Sequence, residues 1–432
     1  MQSDSAPVRR RICIVTPGYI SATPRVVREA DALSAAGFDV RVVCTQGHLT
    51  DVRAFDRSVL AGRAWQAAIF RWSKDERDER WAFYRTGLRQ RAVLALPRAA
   101  SGVGGLAERA EGRAFPELAK LAARQPADLY IGHYPTGLAA ARWAADRHGA
   151  EVGYDVEDLY ADTFADSAHW AASRSRILTI EERHVSGCCY VSAVSAPVAD
   201  VFRARHLVAR PAVVHNAHPW SDRSGLDGAV KERQGQALSL FWYSQTVGLD
   251  RGLQDAIRAM GRAGVPLQLH LRGFVDPAVK TEFTRLAVEC GIGDALHFHS
   301  ACAPSELLSR AVEHDVGLAL EPGDSLNRKL TVTNKLLLYL VAGLAVVASD
   351  LSGQRSVMTT CPEAGLLYRP GDIEAMACQL RVWSTHRGTL QAAKDAALAA
   401  GRDRWNWEHE AAGLVAAVSA TLGADRAHAG AE

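Results

Sequence analysis

Short apolar runs alternate with longer segments of helical periodicity along nearly the whole chain. Arg11-Ile12-Cys13-Ile14-Val15-Thr16 is too short and too continuously apolar for an amphipathic helix, so it reads as a buried strand, ended by Pro17-Gly18-Tyr19. A helix is predicted from Pro24 to about Ala36, stopped at Gly37, with a second strand over 39–44. The same rhythm gives a strand over 127–132, a helix over 137–147, a strand over 151–155, a helix over 177–185, an apolar run over 188–194 and a last strand over 213–216. A polar, glycine-containing stretch, 220–236, reads as a linker. The alternation then restarts, with strands expected at 238–243, 267–271, 295–298, 316–320, 345–349 and 365–368. Alternating strands and helices mean βαβ units with right-handed crossovers, hence parallel sheets.

Two complete series in 432 residues exceed one ordinary core. The expected fold class is therefore α/β, with two Rossmann-like doubly wound domains facing across a cleft. Their boundaries are 1–219 and 237–405, followed by 406–432, a helix expected to pack back on the first domain and a frayed tail from 422. Ligands of such sheets sit beyond the carboxyl ends of the strands. Residues 65–125 break the rhythm and read as a basic helical insertion. Arg80, Arg85, Arg89, Arg91 and Arg98 have no acidic residue among them and are interleaved with Trp81, Phe83, Tyr84, Leu88, Val93, Leu94 and Leu96. That pattern fits a helix lying on an anionic membrane surface, and equally helices covering the domain flank with a solvated charged face.

Composition narrows this only a little. Apolar residues make up 48% and charged residues 23%, as in ordinary soluble proteins. A net charge of +2 and the lack of any nucleic-acid-binding signature leave nucleic acid out as a partner. The cysteines at 13, 44, 188, 189, 290, 302, 361 and 378 form no CxxC pair and read as free thiols of a reducing compartment. Residues 1–11 are polar and basic, and no run of about 18 apolar residues exists, so the expected location is cytoplasmic, extending to the inner face of the membrane.

Candidate chemistry sits at strand ends. In Thr333 to Asp350 a polar loop enters a short apolar helix, and Asn334 and Lys335 stand at its mouth, where free N–H groups, the helix dipole and the lysine charge favour an anion. Residues 244–253 form a polar loop after a strand, and Arg251 there offers a fork for phosphate or is simply a surface arginine of a turn. His133 ends a strand and could donate to a hydroxyl or accept a proton. Asp155, Glu157 and Asp158 cluster after another strand, as a general base and acceptor site or as a helix cap. The loop from Gly18 to Arg25 is no GxGxxG fingerprint, which argues against a dinucleotide oxidoreductase. His297 and His299 share one strand face without a carboxylate or cysteine at ligand spacing, so no metal is expected.

The segment at 333–350 resembles the nucleotide-sugar-binding segment of GT-B glycosyltransferases, in particular the retaining, family 4-like group (glycosyl transferases group 1). There the order is Asn-Lys, two apolar residues, Glu-Tyr, Ala-Gly and a valine strand. This chain keeps Asn334, Lys335, Tyr339 and Gly343 but has Leu338 for the glutamate, and the paired glutamates of that group fall at Leu330 and Leu338. Arg251-Gly252 matches the family's phosphate loop, with Gln245 at the place of its first basic residue. His133 resembles a histidine that touches the donor sugar, residues 154–159 resemble a Tyr-Asp-Ala-His-Glu segment with Glu157 in the histidine's place, and Gly18 to Arg25 resembles the acceptor-side loop. Glu181-Glu182-Arg183 and Asn216 match further segments, and the likeness spans 11 to about 420, weakest over 50–125.

The resemblance implies metal-independent transfer, with retention, of a sugar from a nucleoside-diphosphate sugar to a glycan or lipid-linked acceptor. It places His133 and Asp155 as catalytic groups, Arg251, Lys335 and Gln245 on the diphosphate, Asn334, Thr333 and Glu321 on the nucleotide or sugar, and Gly18, Arg25 and Glu157 on the acceptor side. No cofactor beyond the sugar nucleotide is implied. Leu330 and Leu338 keep two alternatives open, a catalytically degenerate nucleotide- or glycan-binding protein and a nucleotide-sugar epimerase.

Overall fold

The computed structural model describes residues 9–47, 50–97, 102–164, 168–233 and 235–429. Arg98 of the basic run and the first eight residues of the polar N-terminus lie outside them. The chain divides into two compact units, one running to Val194 with Val198–Val214 and the chain from Ala411, the other His215–Glu410 with Ser195–Pro197.

The first unit holds β1 (Arg11–Val15), β2 (Asp39–Gln46), β3 (Gln66–Arg71), β4 (Leu129–His133), β5 (Glu151–Val156), β6 (Tyr190–Ala193) and β7 (Ala212–Val213), in the order β3-β2-β1-β4-β5-β6-β7. The second holds β8 (Leu238–Val247), β9 (Leu267–Val275), β10 (Leu296–His299), β11 (Val316–Ala319), β12 (Ala345–Ser349) and β13 (Gly365–Tyr368), in the order β10-β9-β8-β11-β12-β13. The described pairings are all parallel. Each sheet is doubly wound, and its order reverses between β1 and β4 in one and β8 and β11 in the other, the places where such sheets take ligands. Central strands are buried on both faces, as β4 and β12 are from end to end, which is why they read as unbroken apolar runs.

Two elements depart from the expected pattern. β3 lies inside the supposed insertion and pairs with β2 as an edge strand; half-exposed, it lacks the apolar run that would mark it. The rest of that segment forms helices at Arg80–Leu94, Leu106–Glu111 and Phe115–Ala122 on the crossover from β3 to β4. The C-terminal helix runs unbroken over Trp407–Ala429, through the stretch expected to fray; residues 430–432 are outside the described chain. In the second unit the helix Asn334–Ala342 is buried from Leu336 onward, so its apolar residues all round serve a core position. Among the described residues, no helix is long and apolar enough to cross a membrane.

Candidate functional site

β8 extends four residues beyond its apolar run because its polar end continues the ladder past a bulge between Tyr243 and Thr246. Gly273 of β9 (φ +144°) makes this fit possible, since a Cβ there would stand 2.2 Å from the Ser244 carbonyl oxygen. Gln245 therefore lies exposed on the strand and not in the following loop, a correction to its expected place. The loop itself is the short turn Leu249–Arg251, closed by Gly252 in the left-handed conformation (φ +70°). A Cβ on Gly252 would meet Leu320 Cβ at 3.3 Å, so the glycine lets Arg251's turn press against the end of β11, where Glu321 begins.

Arg328 locks this arrangement. It sits on the short helix Leu326–Leu330, whose start is capped by Ser325, and donates to the Asp250 backbone oxygen (2.9 Å) and carboxylate (2.6 Å) and to Asp324. Its Nε lies 3.8 Å from Glu321 Oε2. Thr333 then caps the helix Asn334–Ala342, its hydroxyl accepting from the Leu336 N–H at 3.4 Å. Asn334 is exposed at that mouth. The Lys335 ammonium stands 5.1 Å from the Trp242 ring centroid and 6.0 Å from that of Tyr243, with no carboxylate in ion-pair range among the described residues. Burial lowers its pKa, Arg251 and Arg328 push it further down, and Glu321 opposes them.

Two buried atoms here have no hydrogen-bond partner among the described residues, Arg251 Nε, which lies 3.7 Å from Asp250 Oδ1, and Glu321 Oε2. Unpartnered buried groups are costly, and a ligand offering an anion and hydroxyls would satisfy both. Lys335, Arg251 and Arg328 thus form a cationic cluster beside one buried carboxylate, at the ligand end of the second sheet. Leu338 is 1% exposed in the apolar core, so nothing at that position offers an acceptor to a hydroxyl. Sequence reasoning missed Arg328, Asp250 and the aromatic platform. The Asp324–Arg328 spacing and Ser325 cap were readable signals for the first; Trp242 meets Lys335 only through the fold.

The first unit places its expected residues differently. Arg25 is 2% exposed, donates through Nε and Nη2 to Asp155 at 2.8 and 2.7 Å, and gives Nη1 to the Val214 carbonyl. Asp155 also accepts from Ser192, and His133 lies with Nε2 at 2.5 Å from Glu29 and Nδ1 at 3.7 Å from Asp155. Burial would raise the Asp155 pKa, but Arg25 and His133 hold it below the usual carboxylate range; burial would lower that of His133, but Glu29 and Asp155 raise it. Arg25, expected on the acceptor-side surface, and His133 and Asp155, expected as catalytic groups, are sealed from solvent with charges spent on one another. Their mutual pairing braces the sheet from within.

Glu157 is only half-buried at the end of β5, and desolvation raises its pKa to about 7, with Asp158 and Asp155 adding to the rise. Gly18 packs its backbone on Thr23, whose methyl would lie 2.8 Å from an added Cβ. Tyr134 starts the helix after β4 with φ +62°, a left-handed conformation rare for a tyrosine. Its ring borders a cavity of about 410 Å³ with Pro17, Trp72, Phe115, Tyr160 and Trp170.

His297 and His299 belong to a larger stack with His270 and His314. His270 Nδ1 lies 3.0 Å from His299 Nε2, and Glu232 approaches His299 and His314 at 3.8 Å. Among the described residues no group of three or more His, Cys, Asp or Glu side chains is disposed to hold a metal ion.

No family model and no curated protein matches the sequence. Solved structures do match the fold. A sucrose-phosphate synthase from Thermosynechococcus elongatus superposes with a TM-score of 0.66 at 15% identity, covering 96% of this chain and 100% of that one. HepE of Anabaena in complex with UDP gives 0.62 at 12% identity over 96% and 100%, and it is also solved with UDP-glucose. A protein of Listeria monocytogenes described as a putative UDP-N-acetylglucosamine 2-epimerase gives 0.55 at 11% over 95% and 96%. These likenesses show the fold, the GT-B type of two parallel-sheet α/β units.

Proposed function

We propose that this chain is a glycosyltransferase that moves a sugar from a nucleoside-diphosphate sugar to a glycan or lipid-linked acceptor with retention of configuration. The observation that carries the reading is Lys335. It is a half-buried ammonium with no carboxylate in ion-pair range among the described residues, held over Trp242 at a helix mouth beside Arg251. A cation left unneutralised in a desolvated position is stabilised by an anionic ligand, and the diphosphate fits the N–H groups of the helix mouth.

In this reading Lys335 and Arg251 neutralise the charge that develops on the leaving diphosphate, supplying electrostatic stabilisation without requiring a metal. Thr333 and Asn334 present the helix mouth to the donor, Gln245 meets it from the exposed end of β8, and Glu321 accepts from a ribose or sugar hydroxyl with the oxygen that lacks a partner. Arg328 positions Arg251's turn through Asp250. In the first unit Glu157, poised near pH 7, takes the proton of the acceptor hydroxyl.

The complexes of the Anabaena neighbour with UDP and UDP-glucose make uridine donors the first to test. A thermal-shift panel of nucleotide sugars is expected to give a saturable shift for at least one donor, lost in R251A/K335A. A flat response across uridine, guanosine, adenosine and thymidine donors would remove the proposal. Leu338 in the core favours one second reading, a protein that binds the nucleotide and catalyses nothing. Donor binding without consumption over a broad acceptor panel would select it. Consumption without any acceptor would select an epimerase or hydrolase, and NMR of the product anomer tests retention.

A further inference from the structure

The helix Arg80–Leu94 carries no acidic residue, and its inner face is fully engaged. Thr86 is buried, Gln90 donates to the Ala110 carbonyl, and Arg113 lies 4.3 Å from the Phe83 ring centroid. Its outer face is the reverse of a solvated charged surface. At 100° per residue, Trp81, Tyr84, Leu88, Ala92 and Ala95 fall on one outward stripe. Trp81 is 73%, Tyr84 59% and Leu88 72% exposed. Arginines flank the stripe on both sides, Arg80 and Arg91 on one edge and Arg85 and Arg89 on the other.

The arginines are not all committed within the protein. Arg85 and Arg89 share Glu117, and Arg80 bonds the Lys74 carbonyl. Arg77, just before the helix, and Arg91 carry no ion pair among the described residues. Glu76 and Glu79 of the preceding turn face Arg53. The apolar surface continues past the helix end into a groove of about 470 Å³ lined by Val93, Leu94, Leu96, Pro97, Leu106 and Ala110.

We propose that this stripe docks the first unit on the surface of a bilayer containing anionic lipid, with Trp81, Tyr84 and Leu88 entering the headgroup region. The charge arrangement selects this occupant. An apolar line with tryptophan and tyrosine, edged on both sides by guanidiniums, matches an interface of apolar depth under a negative surface. The assignment is independent of the reaction proposed above.

The test is flotation of the full chain with phosphatidylglycerol-containing vesicles and with pure phosphatidylcholine vesicles. Binding is expected to the anionic vesicles, weakened by salt. Trp81→Ser with Leu88→Ser should reduce it by about tenfold or more, the loss expected from two interfacial apolar side chains. Both residues are exposed, so the melting temperature and nucleotide-sugar binding of the variant should stay those of the parent. Arg80→Gln with Arg91→Gln should weaken anionic binding and its salt dependence. No binding to anionic vesicles, or binding indifferent to the Trp81 and Leu88 changes, would overturn the proposal. So would self-association in sedimentation that those changes abolish while vesicles stay unbound, since the stripe would then serve a protein contact.

Discussion

Replacing Lys335 with methionine separates a ligand-binding cation from a structural one, because the two roles move stability in different directions. The change keeps an unbranched apolar stem over Trp242 and removes only the ammonium. Losing the cation–π contact costs about 0.5–1 kcal/mol. Removing a desolvated charge that Arg251 and Arg328 repel offsets that loss. The ligand-free melting temperature of K335M is therefore expected within about 2 °C of the parent.

Binding should behave otherwise. A charge-assisted hydrogen bond to phosphate is worth about 1.5–3 kcal/mol, or about 10- to 100-fold in affinity. A donor present at 100 times its dissociation constant stabilises the parent by about 2.7 kcal/mol. For a unit the size of His215–Glu410 that is a shift of about 5–10 °C. At the same concentration a variant weakened 100-fold gains about 0.4 kcal/mol, a shift of about 1 °C. Differential scanning fluorimetry with and without donor reads both quantities. A variant that melts several degrees lower yet keeps its donor shift would refute the reasoning and make Lys335 a packing cation.

Three further outcomes follow from the buried groups. Asp155→Asn leaves Arg25 without its hydrogen-bonded counter-charge, while His133 keeps Glu29, and should cost about 3–5 kcal/mol in the first unit, seen as a lowered melting temperature with donor binding intact. Burial chiefly depresses the histidine stack, His270 to about 2, His314 to about 3 and His299 to about 4. The native state keeps these rings neutral while the unfolded chain takes up protons below about pH 6.5, so stability is full above that pH and falls as pH drops toward 4. Urea titrations of the parent and of His270→Phe at pH 7.5 and 5 check this; equal midpoints at both pH values in the parent would contradict it. Glu157, with its pKa raised to about 7, should give transfer rates that rise with pH through neutrality, and Glu157→Gln should remove that limb from the profile.

Much of the architecture was legible because parallel strands buried on both faces carry near-continuous apolar runs, as β1 does from Ile12, β4 up to Gly132 and β12 up to Ala348. β3 escaped notice because an edge strand needs no such run, and the far end of β8 escaped because Ser244, Gln245 and Thr246 are polar. The helix mouth at Asn334 and Lys335 was readable because a cap, a cation and a core helix are local in sequence. Depth was not readable. Position at a strand's carboxyl end says which end of the sheet a residue occupies and not how far it reaches toward solvent, so Arg25, His133 and Asp155 looked like substrate groups. Their pairing joins residues more than a hundred positions apart.

The central claim is that a diphosphate is held by Lys335 and Arg251, and phosphorus NMR observes that diphosphate directly. Titrating the full chain into UDP-glucose, and then into the guanosine, adenosine and thymidine donors, is expected to shift and broaden both phosphorus resonances of at least one donor. The same titration with R251A/K335A, folded by its melting curve, is expected to leave them sharp. Resonances unmoved by the parent protein for every donor, or moved equally by the double variant, would contradict the account.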